Sequence, residues 1–135
     1  MRVEIRGIID SGILDSERIV LDVLEDCNLG HYILFDTSYT HHDKPSNDIQ
    51  HTYKFPTQQA RMGDVIVLYS KDGKNSIHEV KSEIVYSFYW NLNDCVWQNN
   101  DCALIAHFDS FTHKKVNDTT RLNPKKFSLG MKWFK

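Results

Sequence analysis

The sequence has few of the features that mark membrane proteins, secreted proteins or disulfide scaffolds. No apolar run approaches the roughly 20 residues of a transmembrane helix. The N-terminal stretch MRVEIRGIID carries Glu4 and Asp10 in place of the apolar core of a secretory signal. Three cysteines, Cys27, Cys95 and Cys102, are an odd number without a C-x-x-C spacing, so we expect reduced thiols. These absences predict a cytoplasmic protein.

Catalytic motifs are also missing. The sequence contains no G-x-S-x-G, no H-E-x-x-H and no glycine-rich phosphate loop. His41, His42 and His51 lie near Asp43, and their nitrogen and oxygen atoms could suit zinc. Adjacent histidines in an extended chain point apart, however, so we expect solvated loop histidines. We therefore predict no catalytic residue, no metal and no cofactor, and a hydrolase or a metal-binding protein is only a minor alternative.

The chain is organised around the stretch FPTQQARMGDVIVLYSKDG, which begins at Phe55. Pro56 lacks a backbone donor and ends the preceding strand. Gly63 and Asp64 supply a turn. The apolar run at residues 65–69 then predicts a strand that is buried on both faces.

Other alternating or apolar segments predict further strands. These segments are residues 2–9, 17–24, 31–35, 51–55, 77–90, 96–97 and 102–108. A helix competes over residues 15–27, but sharp alternation and β-branched content favour a strand. Polar residues 38–50 predict an exposed loop. About eight or nine short strands without a convincing helix predict an all-β sandwich or barrel.

Four of these stretches carry family-like patterns. DSERIVL at residues 15–21 is similar to an acidic turn that leads into an E-x-V-x-L strand. LGHYILFD at residues 29–36 is similar to a strand of the pattern L-x-G-W-x-L-x-D. FP followed by MGDVIVL, within residues 55–68, is similar to the segment F-P…x-G-x-x-V-x-V. VWQNNDCAL at residues 96–104 is similar to a hairpin of the pattern W-x-N-x-G-D-x-x-x-L. In this order the four stretches resemble the lamin tail domain and its small bacterial relatives.

The resemblance covers about two thirds of the chain and departs from the family at two positions. Tyr32 stands near the family's tryptophan position, and Asn100 replaces a glycine but tolerates the same left-handed backbone. The resemblance implies an immunoglobulin-like β-sandwich of the lamin tail type over residues 1–120, with no enzymatic activity. Lamin tails bind proteins and nucleic acid, so it implies a binding module.

Five residues are candidates for maintaining this fold. They are Phe55, Pro56, Gly63, Trp97 and Asp101. Asp64 and Asp101 could form a carboxylate pair or a calcium site, but we expect each to bind its own turn backbone. Trp90 and Trp97 could form an exposed ligand platform, but we expect them to pack in the core.

Charge is divided unevenly along the chain. Residues 1–110 hold 9 basic and 17 acidic residues, a net of −8, whereas residues 111–135 hold 7 basic and 1 acidic, a net of +6. Candidate partner or nucleic-acid contacts are Lys114, Lys115, Arg121, Lys125, Lys126, Lys132 and Trp133. Because the acidic body repels phosphate, we expect a protein partner or self-association first and nucleic acid as the alternative. The apolar residues of segment 121–135 predict a tail that packs on the domain.

Overall fold

The computed structural model describes residues 1–39 and 44–116, and within them it confirms the predicted all-β class. The one helical element in these ranges is a 3₁₀ turn at Leu29–His31. The strands are β1 (Val3–Ile9), β2 (Arg18–Val23), β3 (Cys27–Asn28), β4 (Tyr32–Tyr39), β5 (Pro45–Lys54), β6 (Gln59–Ala60), β7 (Val65–Tyr69), β8 (Ser76–Val80), β9 (Glu83–Tyr89) and β10 (Asp101–His107). No helix in the described part of the chain is long and apolar enough to cross a membrane.

The strands form two main sheets that share one core. The larger sheet has the order β1-β2-β7-β9-β8, with β7 and β9 parallel and the other neighbours antiparallel. The smaller has the order β10-β4-β5 and is antiparallel throughout. Leu21 and Leu68 from the first and Leu34 from the second belong to one buried cluster. This is the arrangement of a β-sandwich.

The central strands follow the alternation of the sequence. Residues 18–23 form β2, as predicted, and not the competing helix, because Ile19, Leu21 and Val23 can all point into the core from an extended chain. Predicted strand 65–69 becomes β7, between β2 and β9. The segment 77–90 divides into β8 and β9 at Lys81 and Ser82, which both have positive φ.

The prediction of a loop over residues 38–50 is wrong at both ends, since residues 38–39 belong to β4 and residues 45–50 to β5. Residues 45–54 form β5, which pairs with β4 from Tyr39 to Ile33 with two irregularities of register. Residues 45–50 are mostly exposed and, apart from Ile49, polar on both faces, so they show no apolar alternation, whereas residues 51–54 belong to the strand predicted over 51–55. The strand is held by backbone hydrogen bonds to β4, which the side-chain pattern does not reveal.

The predicted hairpin between Val96 and Leu104 is also wrong. Residues 96–97 form no strand, and β10 pairs with β4 instead. In β1, a bulge between Ile5 and Gly7 changes the parity of the strand. Ile9, which strict alternation would place on the same face as Ile5, is consequently 40% exposed.

Candidate functional site

The two main sheets end in four edge strands, and three of them carry features that block pairing with another chain. β1 is bulged between Ile5 and Gly7, β5 begins at Pro45, and β8 carries Glu79 and is followed by Lys81. Bulges, prolines and charges are the usual protection of an edge. β10 has none of these between its ends, since its seven residues pair with β4 in unbroken register and its interior, Cys102 to Ala106, is uncharged.

The register shows which backbone groups of β10 point away from the sheet. The N–H groups of Tyr39 and Phe108 donate to the carbonyls of Asn100 and His31, at 3.1 and 2.9 Å. In an antiparallel pair, hydrogen-bonded residues alternate with residues whose backbone groups point outward. The even-numbered residues of β10 therefore bond to β4.

The odd-numbered residues direct their N–H and C=O groups to the open edge. The N–H of Asp101 is satisfied by the carbonyl of Gln98 at 3.1 Å, which leaves Ala103, Ile105 and His107 as outward donors. β1 runs near β10, but within residues 1–39 and 44–116 no backbone hydrogen bond joins them.

The outer face of the smaller sheet is apolar beside this edge. Cross-strand partners share a face, so Leu104 lies beside Phe35 and Ala106 beside Ile33. We call these four residues, with Phe108 and Phe111, the outer apolar face. Lys54 lies 5.7 Å from the ring centroids of both Phe108 and Phe111, as in cation–π contacts.

A shallow cleft of about 350 Å³ opens on this face between Ile33, Ala106, Phe108 and Phe111. Phe111 is 61% exposed, whereas the other five residues of the outer apolar face are partly buried. An apolar patch next to an unprotected edge can hold the side chains of an added strand while the edge binds its backbone.

Two carboxylates fix the start of β10. Oδ2 of Asp101 accepts from the N–H of Gln98 at 2.8 Å, so Asp101 binds its own turn as predicted. Glu17 accepts from the N–H groups of Val96 and Trp97, at 2.9 and 3.2 Å. Trp97 is 2% exposed and belongs to the core. The segment before β10 is thus tied to the buried carboxylate of Glu17 and to the side chain of Asp101.

The inner face of the same sheet holds a buried polar pair. Nδ1 of His51 lies 2.8 Å from Oδ2 of Asp36, which is 1% exposed. Burial raises the pKa of Asp36, the hydrogen bond from His51 lowers it, and the charge of Asp101 raises it. Oδ1 of Asp36 has no hydrogen-bond partner within the described residues. His51 also packs edge-on against Trp90, with ring centroids 5.9 Å apart.

A second cleft, of about 390 Å³, lies between Pro56 and β8. Two of its polar side chains are already engaged within the fold. Oδ1 of Asn75 accepts from the N–H of Tyr89 at 3.1 Å, and the hydroxyl of Tyr86 donates to the carbonyl of Gln59 at 3.2 Å. We therefore place the candidate site at β10 and not in this cleft.

The structure separates the residues singled out in the sequence. Phe55 is in the core, Pro56 is exposed, and Gly63 adopts a φ of +93° in a turn where its N–H donates to the carbonyl of Val23. Asp64 lies in the same turn, and its Oδ2 accepts from the N–H of Arg61 at 2.8 Å. The fold residues thus lie in the core, at the surface and in turns.

The predicted basic contacts are only partly within the described ranges. Lys114 and Lys115 are exposed and follow the outer apolar face along the chain. Arg121, Lys125, Lys126, Lys132 and Trp133 lie outside the described residues, as do the tail 121–135 and the histidines at 41 and 42. Within the described ranges, no group of three or more His, Cys, Asp or Glu side chains is placed to hold a metal ion.

Sequence reasoning missed Glu17, Lys54 and the open edge of β10. The edge had one readable signal, because the segment DCALIAH contains no proline, no glycine and no charge between its first and last residues. Comparisons of the chain with protein-family models, curated proteins and solved structures find no match.

Proposed function

We propose that this chain is a non-catalytic protein-binding module, which takes up an extended segment of a protein partner as an added strand on β10. The observation that carries the proposal is the unprotected edge. Ala103, Ile105 and His107 direct their N–H groups outward, and no described strand pairs with them. Main-chain hydrogen bonds at such an edge provide affinity for an extended peptide.

The outer apolar face supplies the side-chain part of this recognition. Every second side chain of an added strand projects over the same face as Leu104. There it meets an apolar surface that includes Ala106 and ends at Phe108 and Phe111. We therefore expect a partner segment with apolar residues at alternate positions.

The lamin tail resemblance supports a binding role of this kind. The two sheets and their shared core agree with a β-sandwich, and we propose that the sandwich is the immunoglobulin-like one of the lamin tail type. Fold alone does not fix function, so the proposal depends on the edge.

The test uses a variant that closes the edge without disturbing the sheet. Ala103→Pro removes an N–H that β4 does not use, so the strand can keep its bonds to β4. Ala103→Val is the matched control, since it adds similar volume but keeps the N–H. Circular dichroism and urea unfolding first establish that both variants are folded.

A library of random linear peptides displayed on phage is panned against sparsely immobilised full-length chain. We expect enriched peptides with alternating apolar residues, which bind wild type and the valine variant alike. Their affinity for the proline variant should be at least about tenfold lower, because one hydrogen bond is lost and the ring obstructs the incoming strand. Equal binding to all three proteins, or no enrichment, contradicts the proposal.

A further inference from the structure

We infer that the strand added to β10 comes from a second copy of this chain, through an antiparallel β10–β10 pair centred on Leu104. The inference rests on the proposed function, since it uses the same edge. The sequence of the edge, DCALIAH, indicates the partner, because two copies of this strand complement each other when they run antiparallel.

The direction of the backbone groups restricts the register. The outward groups of β10 belong to its odd-numbered residues, so an odd-numbered residue must lie opposite another one. A twofold axis through Leu104 meets this condition. It places Ala103 opposite Ile105 of the partner subunit, and each of these pairs exchanges two backbone hydrogen bonds.

The residues at the ends of β10 favour a twofold axis at Leu104 over an axis at either adjacent residue. Centred on Leu104, the pair brings Asp101 opposite His107 of the partner subunit, where an imidazole N–H can donate to the carboxylate. Centred one residue later, the pair would bring Asp101 opposite Asp109 of the partner subunit, and like charges directly opposite are destabilising. Centred one residue earlier, Asp101 would face an isoleucine and the overlap would shorten.

Side chains at the centre agree with this register. Leu104 lies on the outer apolar face and would meet Leu104 of the partner subunit in a non-hydrogen-bonded pair, where Cα atoms approach to about 4.5 Å. Three strands from each copy then form one continuous six-stranded sheet with a shared apolar outer face. Such an isologous twofold contact pairs both open edges with each other, so no further copy can be added there.

The test exploits the fact that this register places residue 104 opposite itself. Leu104→Lys and Leu104→Glu each bring two like charges together at the axis, whereas an equal mixture of the two brings opposite charges together. Thr52→Lys is the matched control, because Thr52 is an exposed residue opposite Phe35, on the same face but at the far strand of the sheet. Sedimentation velocity of the full chain gives the mass over a wide concentration range.

We expect wild type and the Thr52 variant to dimerise with the same affinity. Each Leu104 variant alone should dimerise at least about tenfold more weakly than wild type. An equal mixture of the two should recover a heterodimer of the lysine and glutamate variants, which tags of different mass on the two chains identify. A monomeric wild type overturns the inference, and so does a Leu104→Lys dimer as tight as wild type or a mixture that stays monomeric. If wild type is monomeric while selected peptides still discriminate the proline variant from the valine variant, the proposed function stands and only this inference fails.

Discussion

Glu17 binds the backbone N–H of Val96, 79 positions further along the chain, at a distance of 2.9 Å. The same carboxylate accepts from the N–H groups of Gly12 and Trp97, at 2.9 and 3.2 Å, and from the hydroxyl of Ser70. Glu17 is completely buried. One side chain therefore joins the turn before β2, the end of β7 and the segment that leads into β10.

Replacing Glu17 with alanine should strongly destabilise the fold. The change leaves buried N–H groups and a hydroxyl without an acceptor, and each such group costs about 1–3 kcal/mol. We expect the free energy of unfolding, measured by urea titration, to fall by about 3–5 kcal/mol. Glu79→Ala, at an exposed position on β8, is the control and should change it by less than about 0.5 kcal/mol. A loss for Glu17→Ala as small as the control's would show that the carboxylate is dispensable.

Asp36→Asn should change how stability depends on pH. Burial raises the pKa of Asp36, so the folded state holds this proton more tightly than the unfolded chain. The contribution of Asp36 to stability is thus fully present below its unfolded pKa of about 3.9, and it is lost as pH rises through the folded pKa. Asparagine does not ionise, so the stability of the variant relative to wild type should increase with pH over this interval.

Urea unfolding at a series of pH values measures this difference. Asp72→Asn is the control, because it removes an exposed carboxylate from the turn after β7, and it should change the free energy of unfolding by less than about 0.5 kcal/mol at each pH. A pH-independent difference for Asp36→Asn, or one that decreases as pH rises, would refute the role given to burial.

Trp97→Ala should lower the free energy of unfolding by about 3–5 kcal/mol. The indole is 2% exposed and lies 6.2 Å from the ring of Trp90, so its removal leaves a cavity in the core. Phe111→Ala removes another aromatic ring from a site that is 61% exposed, and we expect it to cost less than about 1 kcal/mol. Similar denaturant midpoints for the two variants would show that Trp97 is not a core residue.

Gly73→Ala should also be destabilising, for a different reason. A Cβ at this position would lie 2.2 Å from the ring of Tyr89, which is stacked on Tyr69 with centroids 5.0 Å apart. Displacing the ring should cost about 1–3 kcal/mol in urea unfolding. Gly7→Ala is the matched control, since a Cβ there meets nothing within 4 Å. Equal stabilities for the two variants would mean that the ring moves aside at no cost.

The sequence predicted those strands whose burial is one-sided or complete. Alternation of Ile19, Leu21 and Val23 located β2, and the apolar run from residue 65 located β7. In both strands the order of apolar and polar residues along the chain reflects which side chains are buried. Turn chemistry at Gly63 and Asp64 was also readable from adjacent residues.

Long-range pairing could not be read in the same way. Backbone hydrogen bonds to β4 hold residues 45–50 of β5, whose mostly exposed side chains show no alternation. Glu17 looked like a polar residue at a strand start, and only the fold brings Val96 and Trp97 to it. The open edge of β10 depends on which strand lies beside it, and that neighbour, β4, is about 70 residues away in the sequence.

Residue-resolved amide hydrogen exchange tests the open edge of β10 most directly. In the full-length Leu104→Lys variant, the amides of Cys102 and Ala106 should exchange slowly because they donate to β4, while those of Ala103 and Ile105 should exchange freely. In wild type at high concentration, Ala103 and Ile105 should become protected as well. If Ala103 and Ile105 are already as protected as Cys102 in the variant, another part of the chain covers the edge, and the account of β10 as a binding site is wrong.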